Sequence, residues 1–442
     1  MPDADETLNS VEEQIQKGDI TGSYETLKGL FSPLSSHLEG ATTFARAVGL
    51  LAQLSKAFGA ADLSQRLQTV ALAPDDVEAL YEAAYGLYEE RQHEPAATLL
   101  IRANRLLPGQ PNLVAELSGN LEKLMLYAQA ADVLDESGTW FDDPICTYLS
   151  GFNSLMCGRV DTARTRLQAL SGVQAEPLPV MRDALAGMLA RVDALQAAGI
   201  VLNALSLTAW QAAVNGTLLL HESPHGYEEA MRGRYAYLSD SSELMQTGLS
   251  RLKTLLEQTR LLPSRVVAAP DRSSQILALA AAEILGVPCV PWSPGEERVG
   301  LIIAHCLETS EDGDFLEALR SHQPGSMLFV HACSWTAPYP QAPDITTLLY
   351  QHLADPWSGG RLQEDPETGD LMEAPPDLRD VHTLAQEILN ANPEHSQCGL
   401  EIALACSQAL STLPETQSTG IYRNSGLRLT QRAGGPVLSN HF

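Results

Sequence analysis

The chain has 442 residues, 44% of them hydrophobic and only 19% charged, which supplies enough apolar material for sizeable cores and excludes wholesale disorder. At this length two or three domains are expected. The formal net charge is −27 and evenly spread: residues 1–200 hold 14 Lys and Arg against 27 Asp and Glu, and the remainder holds 14 against 28. No dense basic stripe is left for nucleic acid or an anionic membrane surface.

Residues 1–13 are acidic and polar, without an apolar signal-peptide core, and no run of about 18 apolar residues suggests a membrane span. The seven cysteines (Cys146, Cys157, Cys289, Cys306, Cys333, Cys398 and Cys406) include no C-x-x-C pair, and most sit in apolar runs. Reduced, buried thiols in a cytoplasmic protein are therefore expected, rather than disulfides or a zinc site.

Residues 1–73 read as helices. Val11 to Gly18 ends in a Gly-Asp turn, and Thr43 to Phe58 is amphipathic and closed by Gly59. Pro74, Asp75 and Asp76 then announce a helix start. From here a pattern repeats. Leu80, Ala83, Ala84 and Leu87 are followed by Ala96, Leu100 and Pro108. Val114, Leu117, Ser118 and Leu121 are followed by Ala130 and Leu134. Thr147, Ser150, Gly151 and Ser154 are followed by Ala163 and Leu167. The period is 34, then 33. Small residues (Ala84, Ala96, Ala103, Ala130, Gly151, Ala163) would let paired helices approach closely, and no unit could bury its apolar face alone.

This pattern resembles the tetratricopeptide repeat (TPR) family, with its Trp and Tyr replaced by aliphatic or small residues. The resemblance implies an all-α array over residues 1–200 that binds protein partners. Residues 1–73 would contribute two degenerate units, and a long helix from Pro179 to Ala198 would cap the end.

Near residue 200 the character changes. Val214 to His221 reads as a strand entered through Asn215-Gly216. A polar loop with Tyr227, Arg232, Arg234, Tyr235 and Tyr237 follows, then a helix over 242–259. Short strands at 265–269, 287–290, 299–304 and 327–331 alternate with helices at 275–285 and 315–322, where Ser273 and Ser274 could cap the first. Such alternation predicts an α/β domain over 201–335 with a mostly parallel sheet. Residues 336–380, rich in Pro, Gly and acids, are read as a long loop. Over 381–442, two helices (382–390 and 398–410) precede an Arg-containing segment. Residues 416–442 hold Arg423, Arg428 and Arg432 without an acid. A flexible tail or edge hairpin attracted to acidic surface is expected there.

The turn after Val266 to Pro270, and Leu285-Gly286-Val287-Pro288 closing the next helix, resemble a phosphoribosyltransferase-type core. The resemblance implies a Rossmann-like sheet with a phosphate-binding loop after the strand at 301–304. Here that loop carries Glu308, Glu311, Asp312 and Asp314 around Thr309, Ser310 and Gly313, and carboxylates so close together repel phosphate. A degenerate, non-catalytic relative is the reading drawn, with no cofactor and no metal.

Other site signals are weighed against structure. His221, Glu222 and His225 spell H-E-x-x-H, but Pro224 inside the motif denies it the helix that zinc chemistry requires. His305 and Cys306 are adjacent on a strand and point to opposite faces, so His305 is poorly placed to activate the thiol. His305 and His331 end neighbouring strands and could meet. Tyr227, Arg232, Arg234, Tyr235, Tyr237 and Arg272 are candidate interface anchors, since Tyr and Arg dominate protein contacts. The function read from the sequence is a cytoplasmic adaptor, its array binding a protein and its α/β domain a second docking surface. The alternative is a transferase acting on a phosphorylated sugar or nucleotide, with the array recruiting substrate.

Overall fold

The computed structural model describes residues 4–225, 230–295, 299–360, 362–364, 369–393 and 399–440. The chain forms two compact units, Met1–Arg182 and Asp183–Phe442. In the first, the described residues give ten α-helices: α1 (Ala4–Gln16), α2 (Ile20–Lys28), α3 (Ala41–Ala57), α4 (Ala61–Leu72), α5 (Val77–Glu89), α6 (His93–Leu106), α7 (Pro111–Lys123), α8 (Tyr127–Ser137), α9 (Pro144–Met156) and α10 (Val160–Ala169). Each odd-numbered helix packs on the even-numbered one that follows, and each pair packs on the next.

Local chemistry sets the helix starts. Asp76 caps α5 by accepting from the amides of Glu78 and Ala79, and proline opens both α7 and α9, where its missing N–H costs nothing. The starts of α5, α7 and α9 are 34 and 33 residues apart, as the sequence period predicts. Ala84, Ala96, Ala130, Gly151 and Ala163 are buried at helix contacts together with Leu100 and Leu134. Leu167 is half-buried, and Pro108 lies exposed in the turn before α7. Leu8, Leu27, Phe31, Phe44 and Leu51 extend the same core into the first two pairs. At roughly 1.5–3 kcal/mol per buried large side chain, stacking is what stabilises helices this short. The unit is thus a TPR-like helical array. Arg166 ties α10 to its neighbours: its guanidinium lies 3.3 Å over the Trp140 ring and pairs with Asp135 at 2.8 Å.

A further helix, α11 (Leu178–Ala197), contains the division between the units. The second unit continues with α12 (Leu207–Asn215), β1 (Leu218–Leu219), β2 (Tyr235–Ser239), α13 (Ser242–Thr259), β3 (Val266–Ala268), α14 (Arg272–Leu285), β4 (Cys289–Pro291) and β5 (Gly300–Ala304). Then come α15 (Gly313–Ala318), β6 (Ser326–Ser334), β7 (Ile345–Ala354), a small antiparallel pair of β8 (Leu362–Glu364) and β9 (Leu371–Glu373), α16 (Val381–Asn390) and α17 (Leu400–Leu410). The main sheet runs β1-β7-β6-β5-β3-β4, with β2 also on β7, and every pairing is parallel. From β3 the chain crosses by α14 to β4 on one side, whereas β5, β6 and β7 lie on the other. The strand order therefore reverses between β3 and β5.

Three expectations are corrected. Residues 345–354, within the stretch read as a loop, form the interior strand β7. Ile345 to Gln351 are buried, and β-branched Ile345, Thr346 and Thr347 suit that place. The strand expected from Val214 begins only at Leu218. Asn215 still belongs to α12, which Gly216 closes at φ +67°. The Arg-containing segment is no loose tail: Ile421 and Val437 are buried, and buried Arg428 pairs with Asp344 at the head of β7. Gly420 is required there, because a Cβ would fall 2.0 Å from Asp344 Oδ1. Fully buried Arg191 donates to the carbonyls of Ala213, Val214 and Gln417, which satisfies the end of α12. Burial brings its guanidinium pKa down to about 9.

Candidate functional site

In open parallel sheets, ligands sit beyond the carboxyl ends of the strands where strand order reverses. Here a cavity of about 510 Å³ occupies that place. Asp271, Arg272 and Ser273 line it from the start of α14, His305 and Thr309 from the end of β5, and Leu353, Ala354, Asp355, Ser358, Gly359 and Gly360 from the end of β7.

Each side chain is held by local structure. Asp271 is the N-cap of α14, its Oδ1 accepting from the Ser274 amide at 2.8 Å, while its buried Oδ2 has no hydrogen-bond partner. The sequence had given the capping role to Ser273 and Ser274. Instead Ser274 Oγ accepts the amide of His305 at 2.8 Å, and Ser273 donates to Asp355 at 2.5 Å. Asp355 also accepts from the amides of Trp357 and Ser358. Arg272 donates to the Arg379 carbonyl at 2.6 Å.

Behind the cavity wall lies a buried charge cluster. Asp240, just beyond β2, is fully buried and accepts from His305 Nε2 at 2.8 Å and from His331 Nε2 at 3.3 Å. The two imidazoles stack with centroids 5.8 Å apart. Burial would raise the Asp240 carboxyl, but the two histidines hold it well below the usual carboxylate range. Burial would lower His305, yet the hydrogen bond and charge of Asp240, helped by Asp355 and Asp271, raise it. His305 is 2% exposed. Its Nδ1 makes no hydrogen bond and sits 3.7 Å from Asp355 on the cavity side.

The other histidine motif is spent on the fold. His221 Nδ1 accepts from Arg251 at 2.7 Å, so Nε2 carries the proton and donates to Tyr235 Oη at 3.0 Å. Burial, the Arg251 charge and His331 bring His221 down to about 3. Glu222 accepts from the amide and hydroxyl of Thr208, in the first turn of α12. No zincin helix exists here, and among the described residues no group of three or more His, Cys, Asp or Glu could hold a metal ion. Burial, then Glu308, pushes the Cys306 thiol up to about 12.

The acidic loop after β5 does not ring a phosphate site. Glu308 turns inward to the amides of Ser334 and Tyr339, and Asp312 caps α15, while Glu311 and Asp314 face outward.

The candidate interface anchors are dispersed. Arg272 reaches the cavity. Tyr237 is 72% exposed and stacks on His352 across the β2–β7 pair. Arg234 is buried with its guanidinium 5.0 Å over Trp335, and Tyr235 packs on His221, so these two serve the interior and not a surface. Arg232 is half-buried at φ +51°, and Tyr227 lies outside the described residues. The sequence left the meeting of His305 and His331 open, and the structure stacks the two rings. Asp240, Asp271 and Asp355 were missed, because a lone Asp after a strand carries no signal until the sheet order is known.

No family model matches the chain, and no curated protein matches it. Among solved structures it is similar to MamA AMB-1 (17% identity, TM-score 0.24, over 39% of this chain and 94% of that one). It is also similar to Pseudomonas aeruginosa pilF (18% identity, TM-score 0.26, over 43% of this chain and 84% of that one). At such scores the likeness carries no argument, and the array rests on its own period and packing.

Proposed function

We propose that this protein is an adaptor whose helical array holds an extended segment of a partner protein. The observation that supports this most is a tyrosine stripe on α5. Tyr81, Tyr85 and Tyr88 recur at spacings of four and three, which places them on one helix face, and Tyr85 is exposed. By the repeat register, the positions equivalent to Tyr81 and Tyr85 are Ala45 and Gly49 on α3, and Ala115 and Gly119 on α7. The neighbouring repeats thus carry small residues where α5 carries its tyrosines, and aromatic rings are efficient anchors for a bound chain.

The transferase alternative has less in its favour. The cavity of the α/β unit carries Asp271 and Asp355 beside the helix start where a phosphate would be held. The adaptor reading is tested by capture from native lysate with the full chain and with Tyr85→Ala, an exposed change that should spare the fold. Partners recovered by the wild type should be lost by the variant. Identical recovery by both would remove the array from the function.

A further inference from the structure

We propose that the cavity between the ends of β3, β5 and β7 binds an unphosphorylated ligand bearing vicinal hydroxyls, a free sugar or a nucleoside. The site goes beyond the adaptor reading and is independent of it.

The volume of about 510 Å³ suits a ligand of one or two rings. Its lining offers donors and acceptors within one small space. The acceptors are the carboxylates of Asp271 and Asp355, both of which line the cavity. The donors are His305 Nδ1 and the hydroxyl of Thr309, which also lines the cavity. His305 is almost wholly buried, and Asp240 at its Nε2 fixes the ring so that Nδ1 meets the cavity. A hydroxyl both donates and accepts, so a diol can donate hydrogen bonds to a carboxylate while accepting one from the imidazolium N–H. Leu353 and Ala354 supply an apolar wall for the C–H face of a ring. Gly359 and Gly360, at φ +81° and +74°, carry the loop beside the cavity without side chains, leaving Gly360 open on its Cβ side.

The same inventory disfavours phosphate. A helix N-terminus attracts anions, but here the start of α14 is occupied by the Asp271 carboxylate, and Ser273 is engaged by Asp355. The Arg272 guanidinium already donates to the Arg379 carbonyl. A phosphoryl group would meet two carboxylates that have no metal ligand set around them among the described residues.

The test is calorimetric titration of the full chain with adenosine and with glucose, each beside its monophosphate. At least one unphosphorylated probe should bind, more tightly than its phosphate ester. Which one binds separates a nucleoside from a sugar. His305→Gln should weaken binding on the order of tenfold or more, the worth of a hydrogen bond to a charged group. Should that variant fail to fold, the wild type serves: affinity should fall as pH rises above about 6.5 and the raised imidazolium loses its proton. Binding of no probe, tighter binding of the phosphate esters, or affinity indifferent to both pH and His305→Gln would each overturn the proposal.

Discussion

At the scale of single residues, the buried Asp240 carboxylate decides most. It holds two histidines at once, and removing one partner from a buried charge network typically costs about 3–5 kcal/mol. Asp240→Asn should lower stability to that order, with a pH signature. His305 is raised in the folded state, so its contribution is complete below about pH 6.5 and is lost as pH rises through the folded value. Asp240 is depressed, so its own contribution holds above about pH 3.9 and is lost only as pH falls through its folded value. The stability gap between wild type and Asp240→Asn should therefore be wider at pH 6 than at pH 9 in urea denaturation. His221 and His322, held down to about 3 and about 4 chiefly by burial, titrate in both proteins and cancel from the gap. A gap that widened with pH would contradict the charge assignment. Cys306 gives a simpler check. With its thiol near 12 and its sulfur between Glu308 and Tyr350, it should resist iodoacetamide at pH 8 in the native protein and react in urea. Rapid native labelling would mean that the end of β5 opens.

At the scale of elements, the array and the sheet were legible to different degrees. The array declared itself through a period, because each helix pair must present the same small and large residues to the next. Ala96 and Ala130 are fully buried at such positions. Ala96→Leu and Ala130→Leu should each overpack the contact and cost about 1–3 kcal/mol, read as a lower midpoint in thermal melts. Melting like wild type would put the repeat register in error. Strands β3, β5 and β6 were legible as short apolar runs between turn signals. The interior strand β7 was not, although Ile345-Thr346-Thr347-Leu348-Leu349 is β-branched and apolar. Prolines and acids on both sides hid it, and only its pairing with β1, β2 and β6 explains why the interior needs it. Helix α13 crosses the sheet at Gly248, where a Cβ would fall 2.5 Å from Thr347 Oγ1 and 3.1 Å from His331 Nδ1. That glycine had no sequence signal, since its cause is a strand a hundred residues later.

At the scale of the whole molecule, the two units differ in where their contacts come from. The array is built from neighbours in sequence. The α/β unit is closed by distant ones: Arg428 reaches Asp344, Arg191 reaches Gln417, and residues 321 and 341 form bridges with 427 and 430. Arg428→Ala would leave Asp344 buried without its cation, at a cost of about 3–5 kcal/mol. That loss should appear in the unfolding transition of the second unit and spare that of the array. Equal effects on both transitions would show that the units do not unfold separately. The sequence pointed to Arg423, Arg428 and Arg432 as seekers of acidic surface; Arg428 pairs with an acid, but inside the sheet, because composition cannot say which acid lies at the head of an interior strand.

The stitching of residues 416–440 into the sheet bears on how the protein is made. Chains fold as they leave the ribosome, domain by domain from the N-terminus. Each helix pair of the array can close as soon as it emerges, since its partner lies within a few dozen residues. The sheet cannot: until Gly420 and Arg428 arrive, Asp344 has no cation and the start of β7 stays uncovered. A stalled ribosome would therefore display a finished array and an open sheet, a form exposed to proteases. Translation speed through the codons for residues 416–440 would then set how much of the protein survives its own synthesis.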